Sequence, residues 1–135
     1  MEFFFAPATN DMTGQSSPTM RAWVEREFAL DGVLAAGGGS AGAPVFSAFA
    51  SGEFVLAHNE EIWRCLAETL DNLRTHGAPS REMLWGFENA VLCTIRRDDG
   101  AWLGVFTAPD LGDESALAVR AKLDAFKQQD FAAPA

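Results

Sequence analysis

Between residues 82 and 107 the chain reads EMLWGFENAVLCTIRRDDGAWLGVFT, three short runs of alternating large apolar residues separated by two turn signals. Met83, Trp85 and Phe87 alternate, then Val91, Cys93 and Ile95, then Trp102, Gly104 and Phe106. A period of two puts successive side chains on opposite faces of a pleated strand, and Glu88-Asn89 and Arg96-Arg97-Asp98-Asp99-Gly100 are turn chemistry. The stretch therefore predicts a three-stranded antiparallel meander. A sheet with an apolar face must be covered, so the rest of the chain has to supply helices.

The clearest of these is NEEIWRCLAETLDNLRTHG, residues 59–77. Asn59 is a capping type, Glu60 and Glu61 suit the positive end of the helix dipole, and Arg74 and His76 suit the negative end before Gly77. Ile62, Leu66, Leu70 and Leu73 form one apolar stripe, with Trp63 on its flank. An earlier helix is expected from Ser17 as N-cap and Pro18 at the first turn, with Met20, Trp23, Val24, Phe28 and Leu34 recurring at helical spacing. A last helix is expected from about Asp113 to Gln128, burying Val119, Leu123 and Phe126. PVFSAFA and EFVLAHN, across Ser51-Gly52, predict a further hairpin, and GGGSAG at 37–42 reads as a flexible loop. The expected fold is α+β: a five-stranded antiparallel sheet with helices on both faces, in the order helix, two strands, helix, three strands, helix. Residues 1–16 are expected to be a flexible leader, 17–130 a single domain and 131–135 a flexible tail.

Few chemistries survive inspection. The glycine run lacks the Gly-Lys-Ser/Thr ending of a phosphate loop. His58 and His76 have no partner at metal-ligand spacing, so no metal and no cofactor is expected. Cys65 and Cys93 lie in apolar patterns and read as reduced, buried thiols rather than nucleophiles. Glu60-Glu61 and Asp98-Asp99 are explained by element ends, and Arg96-Arg97 by a solvated turn. Ten basic against 19 acidic residues give a net charge of −9, which disfavours nucleic acid and anionic membrane. No run approaches the ~20 apolar residues of a membrane span. A cytoplasmic, non-enzymatic protein is expected.

Three stretches, LDGVLAAGG, APVFSAFASGEFVLAHN and ENAVLCTIRRDDGAWLGVFTAPD, resemble the roadblock/dynein light chain family over roughly residues 19–128. The resemblance implies a homodimer joined along the third strand, about 82–88, with the second helices, about 60–76, packed together. It further implies a scaffold or regulator of a small Ras-like GTPase or signalling partner. The corresponding interface would be Ile62, Trp63, Leu66, Leu70, Leu73, Met83, Leu84, Trp85 and Phe87. A rival expectation is an acidic secretion-type chaperone that binds an extended client segment, and a small enzyme or ligand sensor is a third.

Overall fold

A computed structural model describes residues 17–40, 43–50, 60–76 and 81–132. Eight elements follow in order: α1 (Met20–Glu27), β1 (Val33–Gly39), β2 (Phe46–Ala50), α2 (Glu60–Thr75), β3 (Glu82–Gly86), β4 (Val91–Arg96), β5 (Trp102–Thr107) and α3 (Asp113–Phe126). The strands form one antiparallel sheet in the order β2-β1-β5-β4-β3, as the α+β reading requires. The meander is present as β3-β4-β5, and β1 returns to lie beside β5.

The sheet separates two cores. Trp23, Val24 and Phe28 from the first helical segment and Val119, Leu123 and Phe126 from α3 pack on the face that carries Cys93, Ile95, Leu103 and Val105. Trp63 and Leu70 of α2 pack on the other face, against Ala35, Leu92, Trp102 and Phe106. Phe131, placed in the tail by its sequence position, closes the first core, 5.6 Å from Trp23 and 5.9 Å from Phe126 between ring centroids. Ala132 N–H then donates to Pro18 O at 2.9 Å.

Several local expectations are corrected. The N-cap of α1 is Thr19, whose hydroxyl accepts from Ala22 N–H at 3.2 Å, rather than Ser17. The helix stops at Glu27, and Gly32, at a φ of +87°, makes the turn that only a residue without Cβ accepts cheaply. Leu34 is consequently a strand residue. PVFSAFA pairs with VLAAGGG, so β1 is a strand that the sequence pattern concealed. EFVLAHN, the Asn59 cap and the leader lie outside the described residues.

The glycine run is a central strand for a steric reason. Gly37 of β1 stands opposite Gly104 of β5, and the Trp63 indole lies across this pair. A Cβ on Gly37 would come within 2.7 Å of Trp63 Cε2 and 2.6 Å of Phe46 O, and one on Gly104 within 3.0 Å of Trp63 Cζ3. A Cβ on Gly38 would strike the Trp102 carbonyl, and one on Gly39 would reach 2.9 Å from Trp102 Nε1. Trp63 is therefore the centre of the α2 contact, not its flank, and is fully buried with Phe106 edge-on at 5.7 Å.

Arg97 also departs from the expected solvated turn. Its Nη1 donates to Phe126 O and Gln129 O, both at 2.7 Å, satisfying carbonyls left open where α3 ends. The guanidinium lies 5.2 Å from the Phe126 ring centre and 5.3 Å from that of Phe131. Asp99 receives the other arm of the fork at 2.5 Å.

Candidate interaction edge

Both ends of the sheet are strands with one unpaired side among the described residues, β2 and β3. In β3 the pairing with β4 decides which way each residue's backbone groups point. Phe87 N–H donates to Ala90 O and Arg96 N–H to Arg81 O. These contacts flank the register Glu82↔Ile95 through Gly86↔Val91. In an antiparallel ladder the bonded pairs alternate, so Met83 and Trp85 spend their N–H and C=O on β4. Glu82, Leu84 and Gly86 direct theirs outward. Such an edge is a template for another strand.

Its side chains suit that role. Leu84 shares the face of Cys93 yet is 72% exposed, and Phe87, just past the strand, is 52% exposed. Leu117 of α3 is 71% exposed and sits one helical turn before Arg120. Arg120 reaches β3 itself, donating to Glu82 at 2.5 and 3.1 Å. Met83 and Trp85 turn to the α2 face, where they pack partly buried against the second core. The Trp85 Nε1–H is buried with no acceptor among the described residues. A buried donor left unmet costs about 1–3 kcal/mol.

The residues expected at an interface thus fall into two groups. Leu84 and Phe87 are open to solvent, and Ile62, Leu66, Leu73, Met83 and Trp85 are partly open. Trp63 and Leu70 are consumed by the chain's own sheet and offer no surface. Leu117 was missed, although its signal was legible: it is the one leucine of that helix off the Val119–Leu123–Phe126 stripe.

Glu82 anchors this edge electrostatically. Arg120 bridges Glu82 and Asp124, and Lys127 lies 3.4 Å from Glu82 and 3.3 Å from Asp124. The hydrogen bonds from Arg120 hold the carboxyls of Glu82 and Asp124 below their ordinary range. Those from Lys122 and then Arg26 do the same for Glu27, and that from Arg97 does so for Asp99. A carboxyl depressed in the fold contributes stability above its unfolded value, and this is lost as pH falls through the folded value. The melting temperature is therefore expected to decline as pH drops below about 4.5, the ordinary glutamate value, and to decline less steeply in 1 M salt. Calorimetric scans from pH 7 to pH 2.5 check this, and a flat profile contradicts it.

The two cysteines differ in place. Cys93 is buried as expected, and burial pushes its thiol up to about 11. Cys65 is exposed, because the helical turn that buries Trp63 carries Cys65 away from the sheet. Iodoacetamide should therefore label Cys65 alone in the native protein and both cysteines in denaturant, as read by mass spectrometry. Cys93→Ala is expected to cost about 1–2 kcal/mol and Cys65→Ala less than about 0.5.

His76 ends α2, with Nδ1 2.9 Å from Asn72 O. Among the described residues no group of three or more His, Cys, Asp or Glu is arranged to hold a metal ion. None of the described helices is long and apolar enough to cross a membrane. No protein-family model matches the chain, and no curated protein does.

Proposed function

We propose that this protein is a non-enzymatic, homodimeric scaffold or regulator of the roadblock type, acting in the cytoplasm by binding a small Ras-like GTPase or another signalling protein. The observation that carries the reading is the open β3 edge, with Leu84 and Phe87 exposed beside the outward-facing backbone groups of Leu84 and Gly86. A two-fold axis at Leu84 places that residue opposite its twin and Glu82 opposite Gly86 of the second copy. The outward groups of Leu84 and Gly86 then find partners, and the patch is self-complementary as an isologous contact demands. The two Leu84 side chains meet across the axis, and the partly open α2 residues Ile62, Leu66 and Leu73 supply the apolar surface beside the joined sheet.

The unmet Trp85 donor supports the same reading, since an indole at a completed interface can turn to an acceptor that one chain does not provide. The strand order and the two-sided helix cover agree with the resemblance in the sequence.

Light scattering tests the first step. The expected mass is twice the 14.6 kDa of one chain at micromolar concentration, and 14.6 kDa throughout a dilution series contradicts the reading. The partner class is tested by affinity capture and mass spectrometry, followed by titration of the purified candidate. Saturable binding of a Ras-like GTPase supports it, whereas capture of secreted client proteins bound through extended segments overturns it in favour of a chaperone.

A further inference from the structure

A cleft of about 750 Å³ opens where the start of α1, the β1–β2 connection and the segment after α3 come together. Its walls combine the apolar Met20, Val45, Phe46 and Phe131 with the charged Arg97, Asp99 and Asp130, and Thr19 and Arg21 also line it. The volume falls within the range of sites that enclose a small apolar ligand. Thr19 also carries the chain into the fold, because Ser17 is the first described residue ahead of it. Residues 1–16 are thus tethered beside a cleft with one apolar wall, and they contain three consecutive phenylalanines, Phe3, Phe4 and Phe5, followed by Ala6-Pro7.

We infer that this cleft is the docking site of the chain's own Phe3-Phe4-Phe5 segment. Thr19 lies fourteen positions after Phe5 in the chain. Fully extended, that length spans about 45–50 Å, and as a flexible coil its root-mean-square reach is about 20 Å. The segment therefore covers the distance without strain. A tether of this length gives an effective concentration on the order of millimolar, so an aromatic contact too weak to bind as a free peptide is still occupied within the chain. The intervening APATNDMTGQSS is small and polar, as a connector between an anchor and its groove should be. Two aromatic wall residues, Phe46 and Phe131, offer ring edges and faces to the incoming phenyl groups. The cleft lies beside β2, at the opposite end of the sheet from β3, so this inference stands apart from the proposed dimer. A competing aromatic segment from another protein gains the cleft only by displacing the leader.

The test compares the nitrogen-labelled full chain with its F3S/F4S/F5S variant, using a synthetic peptide of residues 1–12 as the probe. Circular dichroism and thermal melts of the two proteins establish that they are equally folded. The expected result is that the amide resonances of Val45, Phe46, Ala101 and Ala132 differ between the two proteins. Adding the peptide to the variant should restore the wild-type positions, and the peptide should bind the wild-type chain at least tenfold more weakly, because the site is already filled. Identical spectra, equal peptide affinities, or perturbations confined to other residues overturn the inference. A wild-type difference that disappears on dilution also overturns it, since the occupant would then be the leader of a second copy.

Discussion

Gly37→Ala is expected to be among the most damaging single-methyl additions available in this protein. The new Cβ would sit 2.7 Å from a fully buried indole and 2.6 Å from a backbone carbonyl of β2, and neither neighbour is the free end of a flexible chain. Overpacking of this kind costs about 1–3 kcal/mol, a large part of the 5–15 kcal/mol by which a domain is stable. Trp63→Ala attacks the same contact from the other side and is expected to cost about 3–5 kcal/mol through the cavity left over Gly37 and Gly104. Chemical denaturation of both variants checks these values. In a Trp63→Phe background the smaller ring leaves room above the strand, so Gly37→Ala should cost less there than in the wild type. The Phe46 carbonyl keeps the penalty from vanishing. Equal costs in the two backgrounds would show that the indole does not dictate the glycine.

Two proline substitutions one residue apart are expected to have opposite consequences. Leu84 directs its N–H away from β4, so Leu84→Pro removes only an outward donor and should leave a folded chain. Across the proposed axis it deletes the central pair of hydrogen bonds and sets two rings against each other. The dimer dissociation constant should rise by about a hundredfold or more. Trp85→Pro removes a donor to β4 together with a partly buried side chain, and should unfold the protein or cost more than about 3 kcal/mol. Thermal melts report the folding outcomes and light scattering the association. A Leu84→Pro protein that dimerises like the wild type, or a Trp85→Pro protein as stable as Leu84→Pro, contradicts the register that separates these two residues.

The parts of the fold legible in the sequence were those in which large side chains carry the period. Met83, Trp85 and Phe87, then Val91, Cys93 and Ile95, then Trp102 and Phe106 alternate visibly, and Val119, Leu123 and Phe126 mark one helical face, so the meander and α3 were placed by their residues. β1 was hidden because its pattern is made of absence: Gly37, Gly38 and Gly39 carry no side chains to alternate, and glycine locally signals a turn. What demands glycine there is the Trp63 indole over Gly37 and the Trp102 carbonyl and ring beside Gly38 and Gly39, and no local reading contains those contacts. Leu34 kept helical spacing with Phe28 by coincidence, and the positive φ of Gly32 broke the helix between them.

The sequence pattern named candidate interface residues without saying which of them a single chain buries. Trp63 and Leu70 share the apolar stripe of α2 with Ile62 and Leu66, and a helical wheel does not say which of them a single chain buries. Arg97 misled for a related reason: an Arg-Arg-Asp-Asp-Gly turn looks solvated, and only the carbonyls at the end of α3 reveal why one of its arginines turns inward.

Hydrogen exchange at the amides of Leu84 and Gly86 tests the shared-sheet reading most directly, because within one chain those two N–H groups face outward. In the dimer they are predicted to be protected alongside their neighbours Met83 and Trp85, and to lose that protection, while Met83 and Trp85 keep theirs, when the protein is diluted to monomer. Rapid exchange at Leu84 and Gly86 in an intact dimer would contradict the account, since the two chains would then associate without joining their third strands.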